Sequence, residues 1–141
     1  MGICTNINEI SLRDYWKPIT LQFTCLDPYF YSRQARSEAV NTPFTIEGDD
    51  MARLYITYDL GASQSLTSPS WIVDSGDHIT LNKTVTGGVF TIDMERQNIE
   101  RTGESLISDM TLSSRFPDFM PGNHLITGPS GGSVTWYERW V

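Results

Sequence analysis

Trp71, Tyr137 and Arg139 are the side chains best suited by type to hold a ligand or a protein partner. An exposed indole or phenol ring can stack on a sugar or a partner surface. A guanidinium two residues from a phenol shares its face of a strand, because successive strand side chains point to opposite sides. Catalytic groupings are missing. The chain has no Gly-x-Ser-x-Gly elbow, no phosphate-binding loop and no Cys/His nucleophile pattern. Ser130, in Gly128-Pro-Ser-Gly-Gly132, sits in hairpin-turn composition. His78 and His124 stand far apart, whereas metal sites gather several ligands. Glu47, Asp49 and Asp50, and Asp74 with Asp77, fall in loops; a calcium site would need such oxygens to converge, and the EF-hand spacing is absent. They read as solvated turn residues. No metal, no cofactor and no enzymatic activity are therefore expected.

The elements that carry these residues show period-two patterning. Strands are expected over Ile19 to Cys25, Phe44 to Glu47, Leu54 to Leu60, Ser70 to Val73, His78 to Leu81, Val89 to Met94, His124 to Thr127 and Ser133 to Trp140. Short strands divided by turn signals specify an all-β fold, an antiparallel β-sandwich of galectin-like or jelly-roll type. Thr86-Gly-Gly-Val89 predicts a tight hairpin, since paired glycines supply positive φ. Between Glu95 and Met110 neither period fits, and the reading is a strand, a turn at Thr102-Gly103 and an irregular second strand.

The end of the chain is the most patterned part. Val134, Trp136 and Trp140 share one parity, and Thr135, Tyr137 and Arg139 the other. Two indoles left in water would forgo about 2 to 3 kcal/mol each. The strand is therefore expected to close a sheet with Trp136 and Trp140 inward and Tyr137 and Arg139 exposed. The aromatics as a set, Trp71, Trp136, Tyr137, Trp140, Tyr29, Phe30 and Tyr31, read first as core or subunit interface, since a sandwich needs large residues to fill it and rings with one polar tip suit its rim.

The first forty residues differ in kind. Residues 1–14 have little apolar content, and Ser32 to Asn41 is polar, reading as a linker or a short exposed helix. A boundary near Asn41-Thr-Pro43 divides residues 1–41, a strand and linker from a preceding domain, from residues 42–141, a C-terminal β-sandwich. Cys4 and Cys25 permit one disulfide and require none; Cys25 continues the apolar run Ile19, Leu21, Phe23 and reads as a buried small residue.

Charge narrows the partners. A formal net charge of -7 on 141 residues argues against nucleic acid or anionic lipid as a partner. No apolar run reaches the roughly 18 residues of a membrane span, and Met1-Gly-Ile-Cys-Thr-Asn lacks the regions of a secretory signal.

Three segments carry a resemblance. Phe116-Pro-Asp-Phe-Met-Pro-Gly-Asn123 followed by Ser/Gly-rich turns and a last strand ending Glu138-Arg-Trp-Val141 resembles the C-terminal domain of siphophage distal tail proteins and related phage minor tail proteins. Ile19-Thr-Leu-Gln-Phe-Thr-Cys-Leu-Asp-Pro-Tyr-Phe-Tyr-Ser32 is similar to the strand and Asp-Pro-aromatic corner joining that family's two domains, and the stretch from Gly76 to Asp93 looks like its hairpin. The resemblance begins near the end of the family's first domain, so most of that domain is expected to lie outside this sequence. The resemblance implies a structural module of a tail tip or baseplate, assembled in host bacterial cytoplasm and carried in the virion. Its implied partners are the tail tube, the tail-tip hub and the tape measure, with a homo-hexamer in the full-length protein. The alternative is a carbohydrate-binding module that recognises host cell-wall glycans through Trp71, Tyr137 and Arg139.

Overall fold

The computed structural model describes residues 30–74 and 76–141. Cys4, Cys25 and the expected strand at residues 19–25 lie outside them. In chain order the strands are β1 (Phe30–Tyr31), β2 (Arg36–Ala39), β3 (Phe44–Ile46), β4 (Asp50–Asp59), β5 (Ser65–Leu66), β6 (Ser70–Val73), β7 (His78–Thr80), β8 (Val85–Thr86), β9 (Val89–Asp93), β10 (Asn98–Arg101), β11 (Glu104–Ser105), β12 (Gly122–His124), β13 (Ile126–Thr127) and β14 (Ser133–Trp140), with a 3-10 turn at Ile107–Asp109. Every pairing between them is antiparallel.

Two layers result. In the first, β4 lies between β14 and β9, and the sheet continues through β10 to β11. The other edge of β14 takes β1 at Arg139–Trp140 and β2 at Ser133–Trp136. These two lie end to end as one edge strand interrupted at residues 32–35. The second layer holds β3 with β12, and β13 with β6 and β7; β12 and β13 are separated only by Leu125. Backbone bonds from Thr111 N–H to the Thr80 carbonyl and from Arg115 N–H to the His78 carbonyl, both 2.9 Å, lay residues 111–115 along the outer edge of β7. A short pair, β5 with β8, completes the fold.

Alternation explains the core. On β4, Ala52, Leu54, Ile56 and Tyr58 are buried while Met51, Arg53, Tyr55 and Thr57 are half-exposed. The β-branched and aromatic residues in this run suit a pleated, half-buried strand. Phe90 and Ile92 on β9, Ile99 on β10, and Val134 and Trp136 on β14 join them from the first layer; Trp71, Val73, Ile79, Ile126, Phe44 and Ile46 meet them from the second. Phe119 closes one end, buried and with its carbonyl accepting the Ala52 N–H at 2.9 Å, whereas Met120 beside it is exposed.

Several expectations change. Ser32 to Asn41 is neither a linker without structure nor a helix, since Arg36–Ala39 is strand β2. All its residues are exposed, so it takes its conformation from pairing with β14 and needs no apolar period of its own. The Gly87–Gly88 step is not a hairpin: β8 pairs with β5, while β9 pairs with β4 and β10. Both glycines have positive φ, 66° and 76°, yet the chain uses that freedom to pass between sheets. The family-like segment from Gly76 to Asp93 accordingly spreads over three sheets. True hairpins join β9 to β10 and β10 to β11; the second turns at Thr102 and Gly103, with φ of 48° and 83°, the all-positive pair a two-residue loop needs.

The last strand is also not the closing one. β14 sits inside the sheet, bonded on both edges. Beyond Trp136 the inward position passes to Glu138, and a register shift between Tyr137 and Arg139 sets Met51 and Ala52 of β4 against Glu138 alone. Trp140 is left half-buried. Trp140→Ala is therefore expected to cost about 1 to 2 kcal/mol, in proportion to the partial area it hides; a urea denaturation midpoint measures it, and a loss above about 3 kcal/mol would return Trp140 to the core.

Candidate functional site

The sequence candidates separate into two environments. Trp71, on β6, is fully buried. Its ring stacks on Phe90, centroids 5.4 Å apart, and its Nε1–H donates to the Tyr58 hydroxyl at 2.8 Å, which donates to the Pro129 carbonyl at 2.7 Å. Burial pushes the Tyr58 phenol above its ordinary pKa, with the Trp71 hydrogen bond acting in the opposite direction. Gly128 and Gly132 press directly on these rings: a Cβ on Gly128 would collide with Trp71 and one on Gly132 with Tyr58. Trp71 is thus a core residue and presents no stacking face.

Tyr137 and Arg139 come together on the outer side of the first layer, but not as an exposed pair. Tyr137 is half-buried and opposite Arg53. Arg139 is only 7% exposed. Its Nη2 donates to the Tyr31 hydroxyl at 3.0 Å and to Glu95 Oε1 at 2.8 Å, and its guanidinium carbon lies 5.1 Å from the Tyr31 ring centre. Desolvation works against the charge, yet Tyr31 and Glu95 outweigh it and hold the Arg139 pKa above its ordinary value. Glu95 also binds Arg53 Nε at 2.6 Å, and Arg53 lies 5.7 Å from the centre of the Tyr55 ring. A chain Tyr31–Arg139–Glu95–Arg53–Tyr55 follows, with Tyr137 beside it. Glu95 is held by guanidinium groups on either oxygen. The outward parity of Arg53 and Tyr55 on β4 was readable; Tyr31 and Glu95 joined the site through pairings that no local pattern encodes.

The other titratable residues serve the fold. Asp74 Oδ2 lies 2.7 Å from His124 Nδ1, its Oδ1 accepts the Leu125 N–H at 2.8 Å, and His124 Nε2 contacts the Met120 carbonyl at 2.7 Å. His78 Nε2 lies 3.2 Å from Ser113 Oγ. Asp49 accepts the Val141 N–H. Glu47 pairs with Arg36, and that hydrogen bond above all holds the Glu47 carboxyl below its ordinary pKa. Among the described residues no His, Cys, Asp and Glu cluster is arranged to hold a metal.

Glu138 is the acid that sequence reasoning passed over. It is 1% exposed, and its Oε2 accepts the N–H groups of Glu47 at 3.0 Å and Gly48 at 2.8 Å while Oε1 accepts Trp136 Nε1–H at 3.0 Å. Arg36 Nε stands 3.7 Å from the same carboxylate. The loop comes this close because Gly48 has no side chain; a Cβ there would strike the Arg139 carbonyl. Beside this tie an open groove of about 500 Å³ runs between β2 and β3, with Phe44 and Trp136 beneath it. A smaller cavity of about 50 Å³ among Met51, Met94, Glu95 and Phe119 is far below the several hundred Å³ of a ligand pocket.

Comparison with known proteins agrees with this architecture. Residues 47–140 match the model of the siphovirus-type tail component, C-terminal domain. Among solved structures, the crystal structure of SPP1 Dit, described as a paradigm of hub adsorption apparatus in Gram-positive infecting phages, is similar with a TM-score of 0.72 and 16% identity, over 84% of this chain and 52% of that one. The chain thus spans about half the length of that protein, and the likeness is one of fold. No curated protein matches the chain.

Proposed function

Because the chain belongs to the siphovirus-type tail component family, as its C-terminal domain, we propose that it acts by position in a siphophage tail tip or baseplate, without catalysing a reaction. The residues before β1 would lead in from a preceding domain that forms a homohexameric ring, while β1 and β2 already belong to the sandwich sheet, and the sandwich would dock neighbouring tail proteins such as the tail-tip hub. The observation that carries this reading is the interlocked outer face of the first layer. Tyr137, Arg139, Arg53 and Glu95 form a preset polar surface whose ion pairs are already made, so contact with a rigid partner costs little ordering. Such a surface suits protein docking better than turnover. The carbohydrate alternative retains only Tyr137 of its two rings, since Trp71 is in the core.

Light scattering at micromolar concentration tests the division of labour. The expected mass is that of the 15.9 kDa monomer, because ring contacts are assigned to the preceding domain. A stable hexamer would place them in the sandwich and sink the proposal.

A further inference from the structure

His124, on β12, stands between two acceptors. Its Nδ1 lies 2.7 Å from Asp74 Oδ2 and its Nε2 lies 2.7 Å from the Met120 carbonyl oxygen. A neutral imidazole has a single N–H to give, whereas the imidazolium has two. With only one donor, a ring lone pair would face an oxygen lone pair at hydrogen-bond distance. Of the two side chains the imidazole is the stronger base, so the extra proton rests there and Asp74 remains a carboxylate. Two rings hold the imidazole in this orientation. Phe44 of β3 and Phe119 pack on it with centroids 5.8 and 5.3 Å away, and the side chain is 12% exposed. Asp74 is fixed as firmly: it takes a left-handed φ of 49°, its Oδ1 accepts the Leu125 N–H at 2.8 Å, and its own N–H donates to the Leu125 carbonyl at 3.0 Å. Asp77 in the same turn, and Arg115 and Asp118 in the covering segment, make no bond to the ring among the described residues.

We infer that His124 is a proton-dependent latch: as an imidazolium it ties the Met120 backbone, and with it the segment 116–120 that covers one end of the core, to Asp74 in the turn after β6. Loss of the proton leaves the single N–H to the carboxylate, because a charged acceptor bonds roughly twice as strongly as a neutral one. The Met120 carbonyl then meets a lone pair, and the segment is released. The sign follows from proton counting. The latched form binds a proton that the opened chain gives up as the pH rises, so the latch is made at low pH and lost at high pH. His78 supplies the contrast. Its Nε2 lies 3.2 Å from the Ser113 hydroxyl, which can donate or accept, so a neutral ring satisfies that contact. The inference does not depend on the tail role.

Amide hydrogen exchange and ring 15N spectra of the full chain, followed from about pH 5 to about pH 9 across the histidine range, are the test. The reporter is the Ala52 amide, whose N–H is held by the Phe119 carbonyl. Its protection, taken relative to the intrinsic exchange rate at each pH, is expected to fall roughly two- to tenfold as His124 loses its proton, the worth of one hydrogen bond. The Ile56 amide, in mid-sheet between β14 and β9, should keep its protection. Asp74→Asn separates the latch from a merely structural contact. The amide keeps an oxygen for the Leu125 N–H and turns its NH2 to Nδ1, so a neutral ring can give its Nε2–H to Met120; asparagine also tolerates the left-handed φ. In that variant, its fold confirmed by circular dichroism, Ala52 protection should no longer fall as the pH rises. An equal fall in the variant overturns the inference. If the variant does not fold, the wild-type spectra decide: protection that stays unchanged while the His124 ring loses its proton overturns the inference as well.

Discussion

Glu138→Ala is expected to lower the stability of the domain by about 3 to 5 kcal/mol, the range for removing one partner of a buried charge network. The carboxylate accepts hydrogen bonds from Glu47 N–H, Gly48 N–H and Trp136 Nε1–H in a place where the side chain is 1% exposed. Alanine leaves those donors facing an apolar void, and each buried unsatisfied donor costs about 1 to 3 kcal/mol. Against a typical total of about 5 to 15 kcal/mol, the loss is large. Glu138→Gln refines the test. The amide keeps one oxygen but turns an NH2 group towards donors, so the expected loss is smaller yet still above about 1 kcal/mol. Urea denaturation of both variants gives the values. If alanine costs under about 1 kcal/mol, as surface substitutions do, the tie between β14 and the loop after β3 is not holding the fold.

Trp71→Ala is expected to cost a similar amount, about 3 to 5 kcal/mol, because it removes a large buried aromatic. The ring stacks on Phe90, touches Tyr58 and supports Gly128. Its loss leaves a cavity between rigid strands on both layers, which cannot collapse far. Trp71→Phe, which keeps most of the volume and gives up the bond to Tyr58, should lose less. The experiment also separates two roles for the residue. A glycan-stacking tryptophan would tolerate alanine with an unchanged denaturation midpoint and would lose sugar binding instead; that outcome would remove Trp71 from the core.

What could be read in advance followed from local pattern. β6 and β14 were legible to the residue, and β4 in its apolar half, because alternation is written directly in side-chain order. The hidden parts depended on partners distant in sequence. β2 has no apolar period, and only its pairing with β14, about a hundred residues on, makes it a strand. The paired glycines at 87 and 88 satisfy a hairpin or a crossing equally well, so propensity could not choose between them. At Glu138 a charged residue in an inward register position broke the apparent pattern, and N–H donors from Glu47, Gly48 and Trp136 meet its carboxylate there. Arg139 was placed on the correct side of the strand, but its covering comes from Tyr31 and Glu95. The family membership had been visible in turn and aromatic motifs, even though one of those motifs, the supposed hairpin before Asp93, proved to be a crossing.

The interior position of β14 sets a kinetic order for the whole molecule. Its ladders join Arg36 to Trp136 on one edge and Thr57 to Ser133 on the other, so the sheet cannot be assembled by zipping neighbouring hairpins. Loop closure of that length precedes any reward from the contacts, which places folding among the slow, millisecond-to-second topologies. During synthesis β2 and β4 emerge long before the strand that separates them. Until it arrives each shows unpaired backbone to other nascent chains, and the period of greatest aggregation risk is that wait.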